Sequence, residues 1–180
     1  MTDVVVVPEP GMIITRNTTF KPGEYDFSSG RGIVIASSDI VVDGNGAVFK
    51  GKGISGEIHS YSGVGIYASG CSRVTVKGLT LSGFRTGMKV LNGEAWIIID
   101  NDFSYNYTDP DFGWGDGQPL GALMLEFVQR SEIRNNKGNY IWNGLHLFES
   151  NDNTLNLVLI TIDFCAMILL MVVTACSYAR

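Results

Sequence analysis

The sequence predicts an all-β parallel solenoid, in which about five to six coils of three short strands each stack on one another. Three observations predict it. A Gly-apolar-x-apolar motif recurs down the chain, each copy followed by a second run rich in β-branched residues and then by an Asn or Gly turn. The interval between copies is 22 positions from Gly65 to Gly87, and 22 again from Ala122 to Gly144. The composition agrees: 22 Gly, 45% hydrophobic residues and only 17% charged ones suit many buried strands joined by tight turns.

Residues 1–17 are read as an N-terminal arm, residues 18–163 as the solenoid domain and residues 164–180 as an apolar C-terminal segment. The first copy opens at Gly32 (GIVIASSDIVVDGNG), where Ile33-Val34-Ile35 starts a strand and Asn45 turns the chain. The second opens at Gly65 (GIYASGCSRVTVKGLTLSGF), with Val74-Thr75-Val76 as its middle strand. Further copies open at Gly87 (GMKVLNGEAWIIIDNDFS), at Gly121 or Ala122 (GALMLEFVQRSEIRNNKGN) and at Gly144 (GLHLFESNDNTLNLV). The two long gaps, Gly32 to Gly65 and Gly87 to Ala122, each hold a coil plus an inserted loop. A single coil is open above and below, so stacking at about 4.8 Å per coil must supply both backbone hydrogen bonds and cover. Asn45, Asn101, Asn135 and Asn136 follow the middle strands, where Asn tolerates left-handed backbone. They are expected to stack as a hydrogen-bonded ladder, with ordinary surface turns as the alternative.

Four stretches carry a family resemblance: residues 18–27 (TTFKPGEYDF), 40–46 (IVVDGNG), 74–81 (VTVKGLTL) and Asn101-Asp102-Phe103. They resemble the right-handed parallel β-helix, pectin-lyase-like superfamily, over residues 18–155. The resemblance implies a right-handed parallel β-helix. It does not choose an activity, because polysaccharide lyases, hydrolases, uronan epimerases, NosD-like proteins and non-catalytic adhesins share that fold. It also implies an extracellular or periplasmic setting, although residues 1–11 (MTDVVVVPEPG) have neither a basic n-region nor a small-residue cleavage site.

After Asn156 the repeat degrades, and no charged residue lies between Phe164 and Ala179. Three readings of this tail stay open: a last apolar strand under a cap or a second subunit, an altered coding end, or a membrane helix. A membrane helix needs about 20 apolar residues, more than Asp163 leaves, so membrane association is not expected. Self-association through an uncovered apolar end is. Cys71, Cys165 and Cys176 show no metal or disulfide spacing, and Cys71 is expected to be buried beside a turn.

The net charge of −5 argues against nucleic acid as a partner. Charge is unevenly distributed, with Lys50, Lys52, Arg73, Lys77, Arg85 and Lys89 opposed only by Glu57 between residues 50 and 89. Stacking turns that run into a basic band, which suits an anionic polysaccharide; a solvated surface is the plain alternative.

The repeat also fixes which side chains share the outer face. Two positions after each Gly come Val34, Tyr67, Lys89, Met124 and His146, and two further on come Ala36, Ser69, Leu91, Glu126 and Phe148. Lys89, Glu126 and His146 therefore fall within one to three coil spacings, about 5 to 15 Å. The insertion from Asp109 to Pro119 (DPDFGWGDGQP) leads onto the same corner, which Arg85 and Trp142 also occupy in their coils. Trp114 and Trp142 offer faces for sugar rings or seal the barrel edge, and Asp109 and Asp111 join them as substrate-binding candidates. For a lyase or epimerase, His146 or Lys89 is the candidate base and Arg85 the group that neutralises a uronate carboxylate. For a hydrolase the carboxylate pairs are Asp116 with Glu126, or Asp109 with Asp111. No cofactor is firmly indicated. Asp109, Asp111 and Asp116 would suit Ca²⁺ but lack a complete calcium-loop motif, and His59 is read as a loop surface residue. A non-catalytic glycan- or protein-binding β-helix is the competing reading.

Overall fold

The computed structural model describes residues 4–107, 121–141 and 143–156, which contain sixteen strands and no α-helix. The chain begins with β1 (Val4–Val6) and β2 (Ile13–Ile14), then β3 (Thr18–Phe20), β4 (Gly23–Asp26) and β5 (Arg31–Ile35). Next come β6 (Val41–Asp43), β7 (Ala47–Lys50), β8 (Ser62–Ser69), β9 (Thr75–Lys77) and β10 (Thr80–Ser82). β11 (Phe84–Glu94), β12 (Ile97–Ile99), β13 (Gly121–Gln129), β14 (Glu132–Arg134), β15 (Asn143–Phe148) and β16 (Thr154–Asn156) complete them. Every pairing between these strands is parallel, and each joins strands from successive windings.

Three sheets result. A seven-stranded sheet has the order β1-β3-β6-β9-β12-β14-β16, a six-stranded sheet β15-β13-β11-β8-β5-β2, and a three-stranded sheet β10-β7-β4. Parallel bridges from Thr80 to Asp102 and from Asp102 to Lys137 carry the third face onward. The segment read as an N-terminal arm is already wound into this stack: β1 pairs with β3 at Val4↔Thr18, and β2 with β5 at Ile13↔Val34. The β-branched run at Val4–Val6 explains the correction, since it finds an open parallel edge to pair with. The apolar segment 164–180 lies outside the described residues.

Inward side chains fill the bore. Phe27 stacks on Phe49 with ring centroids 4.5 Å apart, Phe20 meets Phe49 edge-on at 5.4 Å, and Phe84 closes on Phe27 at 6.4 Å. All four rings are fully buried, each contributing about 1.5 to 3 kcal/mol of apolar burial. Trp96 is buried as well, and its indole N–H donates to the Cys71 carbonyl at 2.8 Å. Gly32 marks a close approach between windings, where an added Cβ would sit 1.9 Å from the Val64 carbonyl oxygen.

The expected Asn ladder divides into two kinds of residue. Asn101 and Asn136 are buried, and Asn101 Nδ2 donates to Asn136 Oδ1 at 3.0 Å. Asn101 Oδ1 also accepts from the Leu79 N–H, and Asn136 Nδ2 donates to the Ile98 carbonyl. Asn45 and Asn135 instead occupy left-handed turns, with φ of 48° and 54°. A third inward Asn, Asn106, accepts from the Phe84 N–H and donates to the carbonyls of Leu81 and Phe103.

Candidate functional site

The six-stranded sheet presents the outer columns that the 22-residue repeat implies. Val34 pairs with Tyr67, Tyr67 with Lys89, Lys89 with Met124, and Met124 with His146. The second column runs through Ser69, Leu91, Glu126 and Phe148. Met124 departs from the expected exposure. It is buried, with the Thr86 hydroxyl donating to its sulfur at 3.5 Å.

Lys89 Nζ and Glu126 Oε1 lie 2.9 Å apart, on β11 and β13. Their side chains are only 27% and 23% exposed, so the pair is better shielded than any other ion pair among the described residues. His146 stands on the next strand, in the column of Lys89. Partial burial pushes its imidazole below the ordinary value; Glu126 opposes that shift and Lys89 adds to it. These three residues form one electrostatic group, as their spacing in the repeat implies.

The basic band is less basic than its sequence. Lys50 pairs with Glu24 at 2.6 Å, Arg73 with Asp39 at 2.5 Å, and Lys77 with Asp43 at 3.0 Å. With Lys89 on Glu126, four of the six cations meet a carboxylate from a neighbouring winding. The stacking that gathers the cations also interleaves them with acids. Lys52 and Arg85 are exposed and make no ion pair among the described residues. Arg85 lies near the start of β11, at the corner leading into the outer face.

Asp109, Asp111, Trp114, Asp116 and Trp142 lie outside the described residues. Among the described residues, no group of three His, Cys, Asp or Glu could hold a metal ion. No helix there is long and apolar enough to cross a membrane. His59 is exposed on a single 3₁₀ turn (Ile58–Ser60), as expected of a loop residue. Cys71 is buried, and burial pushes its thiol above the ordinary value, in keeping with the packing role expected of it.

Sequence reasoning missed an aromatic cluster at the corner beside Arg85. The Gly83 N–H donates to the Tyr105 carbonyl, and the Tyr105 N–H to the Asn139 carbonyl, so Gly83, Tyr105 and the Asn139-Tyr140 turn superpose along the stack. Tyr105 and Tyr140 stack with ring centroids 5.1 Å apart and planes 12° from parallel. Both are substantially exposed, at 49% and 41%. Both have left-handed backbone, with φ of 62° and 50°, at the position where the preceding winding uses Gly83 at φ 75°. At the other end of the same sheet, Phe127, also left-handed, meets Phe148 edge-on at 5.6 Å, and both are about half exposed. The usable signal was the distance of 22 residues from Gly83 to Tyr105, which puts an aromatic side chain on a glycine turn.

Comparison with known families decides the relationship. A family described as "right handed beta helix region" matches residues 15–161. The chain belongs to the right-handed β-helix family. No curated protein and no solved structure matches it. Membership fixes the architecture of this right-handed β-helix, while its chemistry has to be argued from its own side chains.

Proposed function

We propose that this β-helix binds an acidic polysaccharide along the outer face of its six-stranded sheet. Arg85 would receive a uronate carboxylate, and the Lys89, Glu126 and His146 group would hydrogen-bond the sugar beyond it. One observation carries the reading: a shielded Lys89–Glu126 pair and a partly buried His146 stand together on an outward face, where packing alone favours neither charge nor imidazole. Arg85 and Lys89 are four positions apart on β11, at most about 13 Å along a strand, a span for an oligosaccharide and not a single sugar. Affinity electrophoresis through polygalacturonate tests it. The protein should be retarded there and not by a neutral glucan, and Arg85→Ala should release most of the retardation. Equal mobility in both gels would remove the reading.

A catalytic version has its own support. An imidazole whose pKa is lowered is neutral at physiological pH and can accept the proton next to a uronate carboxyl group, which is the step shared by polysaccharide lyases and uronan epimerases. Lys89 is already engaged by Glu126, which leaves His146 as the base and gives Lys89 a positioning role. Lyase turnover would appear as ultraviolet absorbance of an unsaturated product and epimerase turnover as altered uronate composition; His146→Ala should abolish either without abolishing retardation. Product formation at the wild-type rate in His146→Ala would remove the catalytic version while leaving binding intact.

A further inference from the structure

We infer that Arg31, Lys52 and Arg85 form one column of cations that receives successive carboxylates of that polysaccharide, so that the polymer runs lengthwise up the stack; this rests on the binding reading above and adds two residues to its site. Seven of the ten lysines and arginines between residues 31 and 137 meet a carboxylate. The other three are Arg31, Lys52 and Arg85, all exposed and all without an ion pair among the described residues. They share one corner of the solenoid. Arg31 opens β5, Arg85 is the second residue of β11, and Lys52 follows β7 on the way to β8. Because β8 lies between β5 and β11 in the six-stranded sheet, the three come from successive windings.

Register and hydrogen bonds fix their spacing. Arg31 stands opposite Val64 and Val64 opposite Thr86, which sets Arg31 and Arg85 two windings apart, about 10 Å. The Gly51 N–H donates to the Ser82 carbonyl and the Gly53 N–H to the Gly83 carbonyl, each at 2.8 Å, so Lys52 lies over the turn that leads to Arg85. Like charges on neighbouring windings repel, and elsewhere the stack relieves this by alternation, as where Glu94 sits between Arg73 and Arg130. No acid alternates with the corner cations. Asp26, just before the corner, is engaged by the Ser28 N–H at 2.8 Å, and Glu57, in the loop after Lys52, pairs with none of the three. A uronan carries a carboxylate on every sugar, and so supplies along its length the alternating negative charge that this corner lacks. The chain as a whole is at −5, so attraction for such a polymer has to be local.

Charge-removing variants test the column by affinity electrophoresis through polygalacturonate, each mobility being taken relative to a gel without polymer. Arg31→Gln and Lys52→Gln should each weaken binding about three- to tenfold, between the worth of an exposed ion pair and that of a hydrogen bond to a charged group. Both should keep the melting temperature at or above that of the wild type, since each relieves repulsion and breaks no pair. Lys77→Gln removes the same charge from the seven-stranded sheet and should bind as the wild type does. Wild-type binding by Arg31→Gln and Lys52→Gln would overturn the column, and the acidic-polysaccharide reading would stand if Arg85→Ala still released the protein. An equal loss in Lys77→Gln would show attraction by overall charge and also overturn the column, as would variants that unfold. A wild-type protein that binds no polygalacturonate would remove both proposals together.

Discussion

Lys89 on β11 and Glu126 on β13 form their ion pair diagonally across two windings, since the register sets Lys89 opposite Met124 and Glu126 opposite Leu91. The long lysine stem spans the two-residue offset between its register partner Met124 and Glu126. Removing either partner strands the other at low exposure. Lys89→Ala and Glu126→Ala should each cost about 1 kcal/mol in urea denaturation, and the double variant less than the sum of the two. Strict additivity would show that the two charges do not interact.

Asn101 serves both neighbouring windings at once. It accepts from the Leu79 N–H and donates to the Val76 carbonyl and to Asn136 Oδ1, all within the buried interior. Asn101→Ala leaves these groups without partners, and should destabilise by about 3 kcal/mol or more. Asn45→Ala, at an exposed turn, should cost about 1 kcal/mol, mostly through its left-handed backbone. Equal losses for the two variants would contradict the division between ladder and turn.

Gly32 leaves no room for any side chain, because the obstacle is the backbone of the next winding and not a side chain that could rotate away. Gly32→Ala should force the two windings apart, costing more than about 3 kcal/mol or preventing folding. A well-folded Gly32→Ala protein would show that the stack opens more easily than its spacing implies.

His146 sets a pH dependence with a definite sign. Its pKa is lowered in the folded protein by burial, so protons bind the unfolded chain more readily. The stability linked to the neutral imidazole is complete above the ordinary value, about pH 6.5, and falls as the pH drops through the lowered folded value. His146→Phe, which cannot titrate, should flatten that part of a melting-temperature profile. A His146→Phe profile parallel to the wild type there would assign the acid sensitivity to other groups. At lower pH, Asp39 and Glu94 come into play: hydrogen bonds from Arg73 and Arg130 hold these carboxylates below their ordinary range, so their contribution is present above it and lost on further acidification.

Much of this was legible in the sequence because one period governs the whole stack. The spacing of 22 residues from Gly65 to Gly87 fixed which residues face outward, and with it the neighbourhood of Lys89, Glu126 and His146. Features at the corners were not legible. The pairing of Arg73 with Asp39 depends on how turns superpose, and the repeat pattern of the strands does not specify that. Tyr105 and Tyr140 escaped notice because turns are searched for Gly and Asn, and because the insertion between their windings hides the 22-residue interval. The role of Trp96 was not legible either, because its N–H donates to the Cys71 carbonyl, 25 residues earlier in the preceding winding. The winding of Ile13–Ile14 does carry the opening motif, as Gly11-Met12-Ile13-Ile14, 21 residues before Gly32, so the reading of residues 1–17 as an arm overlooks a legible copy.

Each β-strand here bonds only to its counterparts immediately above and below, so rigidity is shared locally and not across a single globular centre. Amide deuterium uptake should therefore form a gradient, slowest in β8, β9, β11 and β12 and fastest toward β1 and β16. A polymer lying lengthwise on the six-stranded sheet would bridge several of these semi-independent layers, and so would act as a splint, slowing exchange most where the layers are least secured by their own neighbours.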